Sequence, residues 1–335
     1  MLERMREIRE RVLDRLEEIE LDAASPLLRD GYVYRMVLQH EYQHNETILQ
    51  TLQLKQGAPY DAPRQYVVPA GGSSDRSMLS FPGGSVAIGT DDRRWAYDNE
   101  RPRHELEVAP FSIDRFPVTS GEYIEFMADN GYRDERHWSA NGRAWLAGSR
   151  AVAPKHWSRT ADGWSERVME VIRPVDPDRP VCHVCFYEAE AFAAWAGKRL
   201  PTEIEWETAA SLDTDGTSLA FPWGADAPTH CDANVDQLTF DTAPMRAYPR
   251  NVSPLGCYGM IGDVWEWTSS EFRPYPGYSS FPYKEYSEAF FGSEYRVLRG
   301  GSWATRPHAI RNSFRNWDYP IRRQIFSGFR CARDS

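Results

Sequence analysis

The feature that most limits what this chain can become is a break in its composition. All 12 tryptophans lie at or beyond Trp95, and the first 57 residues hold only two glycines, Gly31 and Gly57. A stretch so poor in turn formers and large rings is suited mainly to helix. Leu2, Met5, Ile8, Val12, Leu16 and Ile19 recur at three- and four-residue steps with Arg and Glu between them, which predicts an amphipathic helix. Ala24-Ser25-Pro26 breaks it. A second helix is expected from near Asp30 to near Gln56-Gly57, with Val33, Val37, His40, His44 and Ile48 on one buried stripe. Two helices cannot enclose a core, so residues 1–57 read as the second half of a helix bundle whose other helices lie upstream or come from elsewhere.

Residues 58–80, with Pro59, Pro63, Pro69 and the pair Gly71-Gly72, read as a linker. Beyond it, short strand-like runs such as Ser85-Val86-Ala87-Ile88 alternate with Gly, Pro, Asn and Asp turns. Helices fit Tyr187 to Gly197 and, after the Pro201-Thr202 entry, Glu203 to Ser211. Residues 81–335 are therefore expected to form an irregular, loop-rich α+β domain, where function sits in loops. The 335 residues carry a formal charge of −10, which disfavours a nucleic-acid partner, since phosphate neutralisation needs a basic face. No apolar run approaches the ~18 residues of a membrane span, and the charged start is no signal peptide. The five cysteines are odd in number and unevenly spaced, which argues against a disulfide framework and for a reducing, cytoplasmic setting. Cys182 and Cys185 form a C-x-x-C, but one such pair is half a zinc site, and both are expected to be structural thiols.

Chemistry first shows at His40-Glu41-Tyr42-Gln43-His44. An H-x-x-x-H on a helix puts two imidazoles on one face a turn apart, within reach of one metal ion. The same letters match the zinc-protease H-E-x-x-H, whose longer form needs Gly at position 47 and His at position 50; this chain has Thr47 and Gln50. A metal site of another kind is the expectation, against the plainer reading of two surface histidines.

Six motifs then follow in order. They are Tyr97-Asp98-Asn99-Glu100-Arg101-Pro102-Arg103-His104, Phe116-Pro117-Val118-Thr119, Arg199-Leu200-Pro201-Thr202-Glu203, Gly262-Asp263-Val264-Trp265-Glu266-Trp267, Leu298-Arg299-Gly300-Gly301-Ser302-Trp303 and Gly328-Phe329-Arg330-Cys331-Ala332. Together they resemble the formylglycine-generating-enzyme (sulfatase-modifying-factor) fold, which is related to C-type lectins. The resemblance covers residues 81–335. Copper-dependent members of that family carry reactive cysteines shortly before the closing motif. Here the matching stretch, Arg311-Asn312-Ser313-Phe314-Arg315-Asn316-Trp317-Asp318, has none, so thiol-based formylglycine formation is not expected.

A helical H-x-x-x-H joined to this fold, with the stretch from Phe314 to Gln324, is similar to the non-haem iron sulfoxide synthases of ergothioneine biosynthesis, in which a DinB-like bundle precedes the second domain. Those enzymes join γ-glutamylcysteine to hercynine with O2. The resemblance implies Fe(II) as cofactor, with His40 and His44 as two of three iron-binding histidines. It implies that Gln43 orients hercynine, that Trp317 lines the pocket, and that Asp318 with Arg322 grips the zwitterionic end of the thiol substrate. A loop tyrosine would supply a proton: Tyr278 first, Tyr283 second, with at least two of Tyr275, Tyr278, Tyr283 and Tyr286 merely packing. The family's first iron histidine and an arginine for the γ-glutamyl carboxylate belong to early bundle helices. Two alternatives stay open: a related synthase using free cysteine with histidine or a selenium donor, and a non-catalytic binding module with a degenerate metal site.

Overall fold

The computed structural model describes residues 2–335 apart from Asp22, Ala23, residues 56–59 and Thr214. Gln56-Gly57, the expected end of the second helix, and the expected start of the linker therefore lie outside the described residues. Two helices come first, α1 (Leu2–Glu18) and α2 (Tyr32–Leu54). Strands β1 (Met78–Phe81), β2 (Gly84–Ile88), β3 (His104–Val108) and β4 (Phe111–Asp114) lead into α3 (Ser120–Ala128) and α4 (Ala140–Ser149). A meander of β5 (Trp157–Thr160), β6 (Gly163–Val168) and β7 (Val171–Pro174) precedes α5 (Phe186–Trp195) and α6 (Glu203–Ser211). The chain closes with β8 (Trp265–Phe272), β9 (Gly292–Arg299), β10 (Asn316–Asp318), β11 (Ser327–Gly328) and β12 (Ala332–Asp334). No helix among the described residues is long and apolar enough to cross a membrane.

The expected α+β character of the second domain is observed, in four small sheets: β1-β4-β12, β10-β9-β8-β11, β2-β3 and β5-β6-β7. The sheet carrying the site is antiparallel at β8-β9 and β9-β10 and parallel at β8-β11. Helix α6 starts where the sequence placed it, because Thr202 and Glu205 close a capping box: the Thr202 hydroxyl accepts the Glu205 amide at 3.1 Å and the Glu205 carboxylate accepts the Thr202 amide at 2.8 Å. Gly300 must be glycine, since φ is +89° and a Cβ would lie 2.6 Å from the Met260 carbonyl oxygen.

Residues 60–77 do not behave as a free linker. Tyr60 packs near Phe240, Ala62 is buried, the Gln65 amide donates to the Leu238 carbonyl, and the Gly72 amide donates to that of Met245. The segment is a strap laid along the second domain, and the first strand begins at Met78, inside the expected linker.

Helix α1 buries none of its residues. Helix α2 is docked firmly, though on a face different from the expected one. Val37 and Ile48, expected on the buried stripe, are more than half exposed, whereas Tyr32, Met36, Gln39, Glu46, Leu49 and Gln53 are buried. The helix is turned by about one residue, ~100°, from the orientation its aliphatic pattern suggests. The cause is polar. Gln39, Glu46 and Gln53 recur every seven residues, so they share a face, about 10 Å apart along the axis. Gln39 donates to the Trp95 carbonyl at 2.9 Å and accepts from Arg311 at 3.0 Å. Gln53 donates to the Arg167 carbonyl and accepts the Met169 amide. Between them, the Glu46 carboxylate accepts from the Trp265 indole at 2.8 Å, the Ser302 hydroxyl at 2.8 Å and the Thr305 hydroxyl at 2.7 Å.

Near the Gln53 end, half-buried His156 meets buried His183 with ring centroids 4.8 Å apart. Burial holds the His183 imidazole down at about 4, and burial with His183, Arg167, Lys155 and Arg323 nearby holds His156 lower still. Both are bases whose folded pKa lies below the unfolded value, so neutral imidazole favours the native state.

Two outcomes are expected. Glu46→Ala strands three buried donors and should cost about 3 kcal/mol in urea unfolding, with faster amide exchange along α2; unchanged exchange in α2 would refute the docking role. Stability should be complete above pH 6.5 and fall as pH drops toward 4, His183 contributing roughly 2 kcal/mol by pH 4.5. His183→Asn, which tolerates the observed φ of +66°, should flatten that slope; parallel stability curves would remove His183 as its source.

Candidate functional site

Docking of α2 decides where its chemistry-bearing side chains go. His40 and His44, four residues apart, stand with ring centroids 4.5 Å apart. His40 is half-buried and His44 exposed, so the pair lies at the edge of the docked face rather than within it. Partial burial, then the His44 neighbour, lowers the His40 pKa and favours the neutral imidazole, the form that binds a metal. Two neutral imidazoles one turn apart fit one divalent transition ion, with positions left for a third donor and for substrate. Among the described residues no third His, Cys, Asp or Glu joins the pair into a group of three.

Tyr286 stands beside the pair, edge-on to His40 at 6.0 Å. It is fully buried and stacks on Tyr97 at 4.4 Å. Both phenols donate to one atom, the Gln43 Oε1, at 3.1 Å from Tyr286 and 3.4 Å from Tyr97. That double engagement fixes the amide and leaves the Gln43 N–H groups as the donors available to a ligand. Burial pushes the Tyr286 hydroxyl well above the ordinary phenol range, which keeps it protonated.

Gln43 also lines a cleft of about 400 Å³ between α2 and the β8-β9-β10 sheet. Trp317 and Asp318 line it too, so three of the expected substrate-binding residues share one cavity. Trp317 stacks on Phe272 at 4.1 Å and meets Tyr286 edge-on at 6.0 Å. Asp318 accepts the Tyr319 amide at 2.7 Å and pairs with Arg322 at 3.3 Å, while burial raises its pKa above that of an open carboxylate. Arg322 is half exposed and is not among the residues that line the cleft. Tyr42, Trp265, Tyr295 and Tyr319 add aromatic walls, and the Glu46 carboxylate closes the floor. Aromatic faces around a buried carboxylate suit a cation, and the Arg322 guanidinium suits a carboxylate.

The two expected proton donors are placed differently. Neither lines the cleft, and the Tyr278 hydroxyl donates to the Asp98 carboxylate at 2.9 Å. Asp98 also accepts the Phe281 amide at 3.1 Å and the Ser287 hydroxyl, so Tyr278 serves as an anchor of the loop. Burial and that carboxylate push its pKa up and hold its proton. Tyr283 is 43% exposed, stands edge-on to Tyr286 at 6.4 Å, and has no hydrogen bond on its hydroxyl among the described residues. Of the two, Tyr283 is the one whose hydroxyl is uncommitted among the described residues. Sequence reasoning singled out neither Tyr286, one of four tyrosines of which at least two were expected merely to pack, nor Glu46. The sign that could have exposed Glu46 was its place midway between Gln39 and Gln53.

The thiols stay outside this chemistry. All five cysteines are free, and burial raises the pKa of Cys182, Cys185, Cys257 and Cys331.

A hercynine oxygenase of Mycobacterium tuberculosis is 46% identical over 94% of this chain and 75% of its own length. One from Mycolicibacterium thermoresistibile is 45% identical over 98% of this chain and 73% of its own. Among solved structures, PvdO from Pseudomonas aeruginosa has a TM-score of 0.52 at 24% identity, covering 84% of this chain and 99% of that one, which shows a common fold. The sulfatase-modifying factor enzyme 1-like domain, FGE-sulfatase, matches residues 64–335, beginning within the strap, and the chain belongs to that family.

Proposed function

We propose that this chain is an oxygen-dependent, non-haem iron sulfoxide synthase that joins γ-glutamylcysteine to hercynine. The observation that carries the reading is spatial. The cleft bounded by Gln43, Trp317 and Asp318 opens beside the His40-His44 pair, in a chain 45–46% identical to hercynine oxygenases. His40 and His44 would hold Fe(II), completed by a third donor outside the pair; when bound, the metal supplies activation of O2 toward a thiol. The DinB-like assignment of the two helices belongs to this same reading.

The chain's own residues bind, orient and move a proton. The amide N–H groups of Gln43 donate to hercynine and set its imidazole edge toward the metal side. Trp317 and the tyrosine walls receive the trimethylammonium group by cation–π attraction. Asp318 takes the ammonium of γ-glutamylcysteine and Arg322 its carboxylate, a fork that recognises both oxygens at once. Tyr283, with its hydroxyl uncommitted, donates the proton; Tyr286 holds Gln43 and backs the Tyr283 ring.

Three experiments test this. Anaerobic Fe(II) titration should give one site per chain, weakened at least tenfold by His40→Ala or His44→Ala. Arg322→Ala should keep iron and raise KM for γ-glutamylcysteine roughly 30-fold, about 2 kcal/mol. Iron retained in the double-histidine variant would sink the assignment. Under air with both substrates, Tyr283→Phe should shift products from C–S coupling toward the thiol's sulfinate, while Tyr278→Phe leaves the ratio unchanged. A normal sulfoxide yield from Tyr283→Phe would remove it as the donor.

A further inference from the structure

Buried arginines of the second domain are met by carboxylates: Arg299 by Glu207 and Glu203, Arg311 by Glu100, Arg315 by Glu203, Arg330 by Glu266. Arg101, half-buried, lacks such a partner. Its guanidinium lies 5.6 Å from the Tyr32 ring centroid and 5.8 Å from that of Phe281. Its Nε is shut off from solvent without a hydrogen-bond partner, and among the described residues no carboxylate lies within ion-pair distance of it. A guanidinium half withdrawn from water, with its Nε shut off and no carboxylate beside it, is stabilised by an anion at its outward N–H groups.

Arg101 borders a concavity of about 210 Å³ that lies apart from the cleft at Asp318. Arg93, Ser279, Ser280 and Gly277 line it as well. Asp91 is the carboxylate on the wall, and its Oδ1 already accepts the Arg103 amide at 3.1 Å. Two cations and two hydroxyls thus face one carboxylate that is partly engaged. The Tyr32 and Phe281 faces hold the fork in place, so little side-chain freedom remains to be lost on binding.

We propose that this concavity binds a small oxyanion, the carboxylate or phosphate group of a soluble molecule. The Arg101 guanidinium grips two of its oxygens, Arg93 adds charge from the rim, and Ser279 and Ser280 donate from the opposite side. Gly277 to Phe281 belong to the segment between β8 and β9 that also carries Tyr278, Tyr283 and Tyr286. An occupant there fastens the tyrosine-bearing segment to α2 through Tyr32.

The test is calorimetry on the whole chain at pH 7.5 and low ionic strength, with sodium phosphate and sodium acetate titrated separately and sodium chloride as the ionic-strength control. One saturable site is expected, and the tighter arm names the group. Arg101→Gln should weaken it at least tenfold and Arg93→Gln about threefold, with binding slowing proteolysis of the 275–286 segment. No saturable binding, equal binding to Arg101→Gln, or an equal response to chloride overturns the proposal. If Arg101→Gln loses its near-ultraviolet circular dichroism, Ser280→Asp replaces it. That exposed substitution sets a carboxylate in the mouth and should abolish binding, and unchanged binding to it overturns the proposal equally.

Discussion

A domain with so little regular structure stands on charge pairs taken out of water. Glu266, between the two tryptophans of β8, receives Arg330 at 2.7 and 2.8 Å and the Trp206 indole at 2.8 Å. Glu203, at the start of α6, receives Arg315 twice at 2.8 Å and Arg299 at 3.3 Å. The same arginines then donate to loop carbonyls: Arg330 to Tyr258, Arg315 to Asn99 and Arg273, Arg299 to Asn312. Each planar fork neutralises one carboxylate and pins several non-repetitive backbone segments, a task aliphatic packing cannot perform. Loss of one partner would leave an uncompensated buried charge, so these pairs hold the loops in one arrangement more than they add net stability.

The docked helix extends this logic from the domain to the site. The Glu46 floor is built from Trp265 and Ser302, which come from the motifs that form the domain's frame, and from Thr305 just beyond the second of them. Arg311, which donates to Gln39, is itself clamped by Glu100. The position of the histidine pair is therefore inherited from the frame through polar contacts with directional geometry. Hydrophobic burial is non-directional and would let a helix roll; hydrogen bonds to a carboxylate do not.

Much of this was legible in the sequence, for reasons that differ by element. The helix at Glu203–Ser211 was visible because its capping box is local chemistry, and α2 because a stretch without Gly or Pro runs between turn formers on either side. The convergence of Gln43, Trp317 and Asp318 was legible only through resemblance, since residues some 270 positions apart carry no local signal of contact. The face of α2 was misjudged because an apolar pattern search weighs Val37 and Ile48 and ignores Gln39, Glu46 and Gln53, whose burial depends on partners in the other domain. That Tyr278 has its hydroxyl engaged was likewise not readable, since it depends on capture by the distant Asp98.

The seven-residue recurrence along α2 also bears on how such a protein can change over evolutionary time. Inserting or deleting one residue between Gln39 and Gln53 would swing everything beyond it by about 100° and misalign at least one rung with its socket. A whole heptad would preserve phase but displace the later rung by about 10 Å. Length variation should therefore be purged from this helix and tolerated in the turn before Tyr32. The linear spacing of the histidine pair from its anchors is then a fixed quantity, whereas side chains on the outer face of α2 are free to drift.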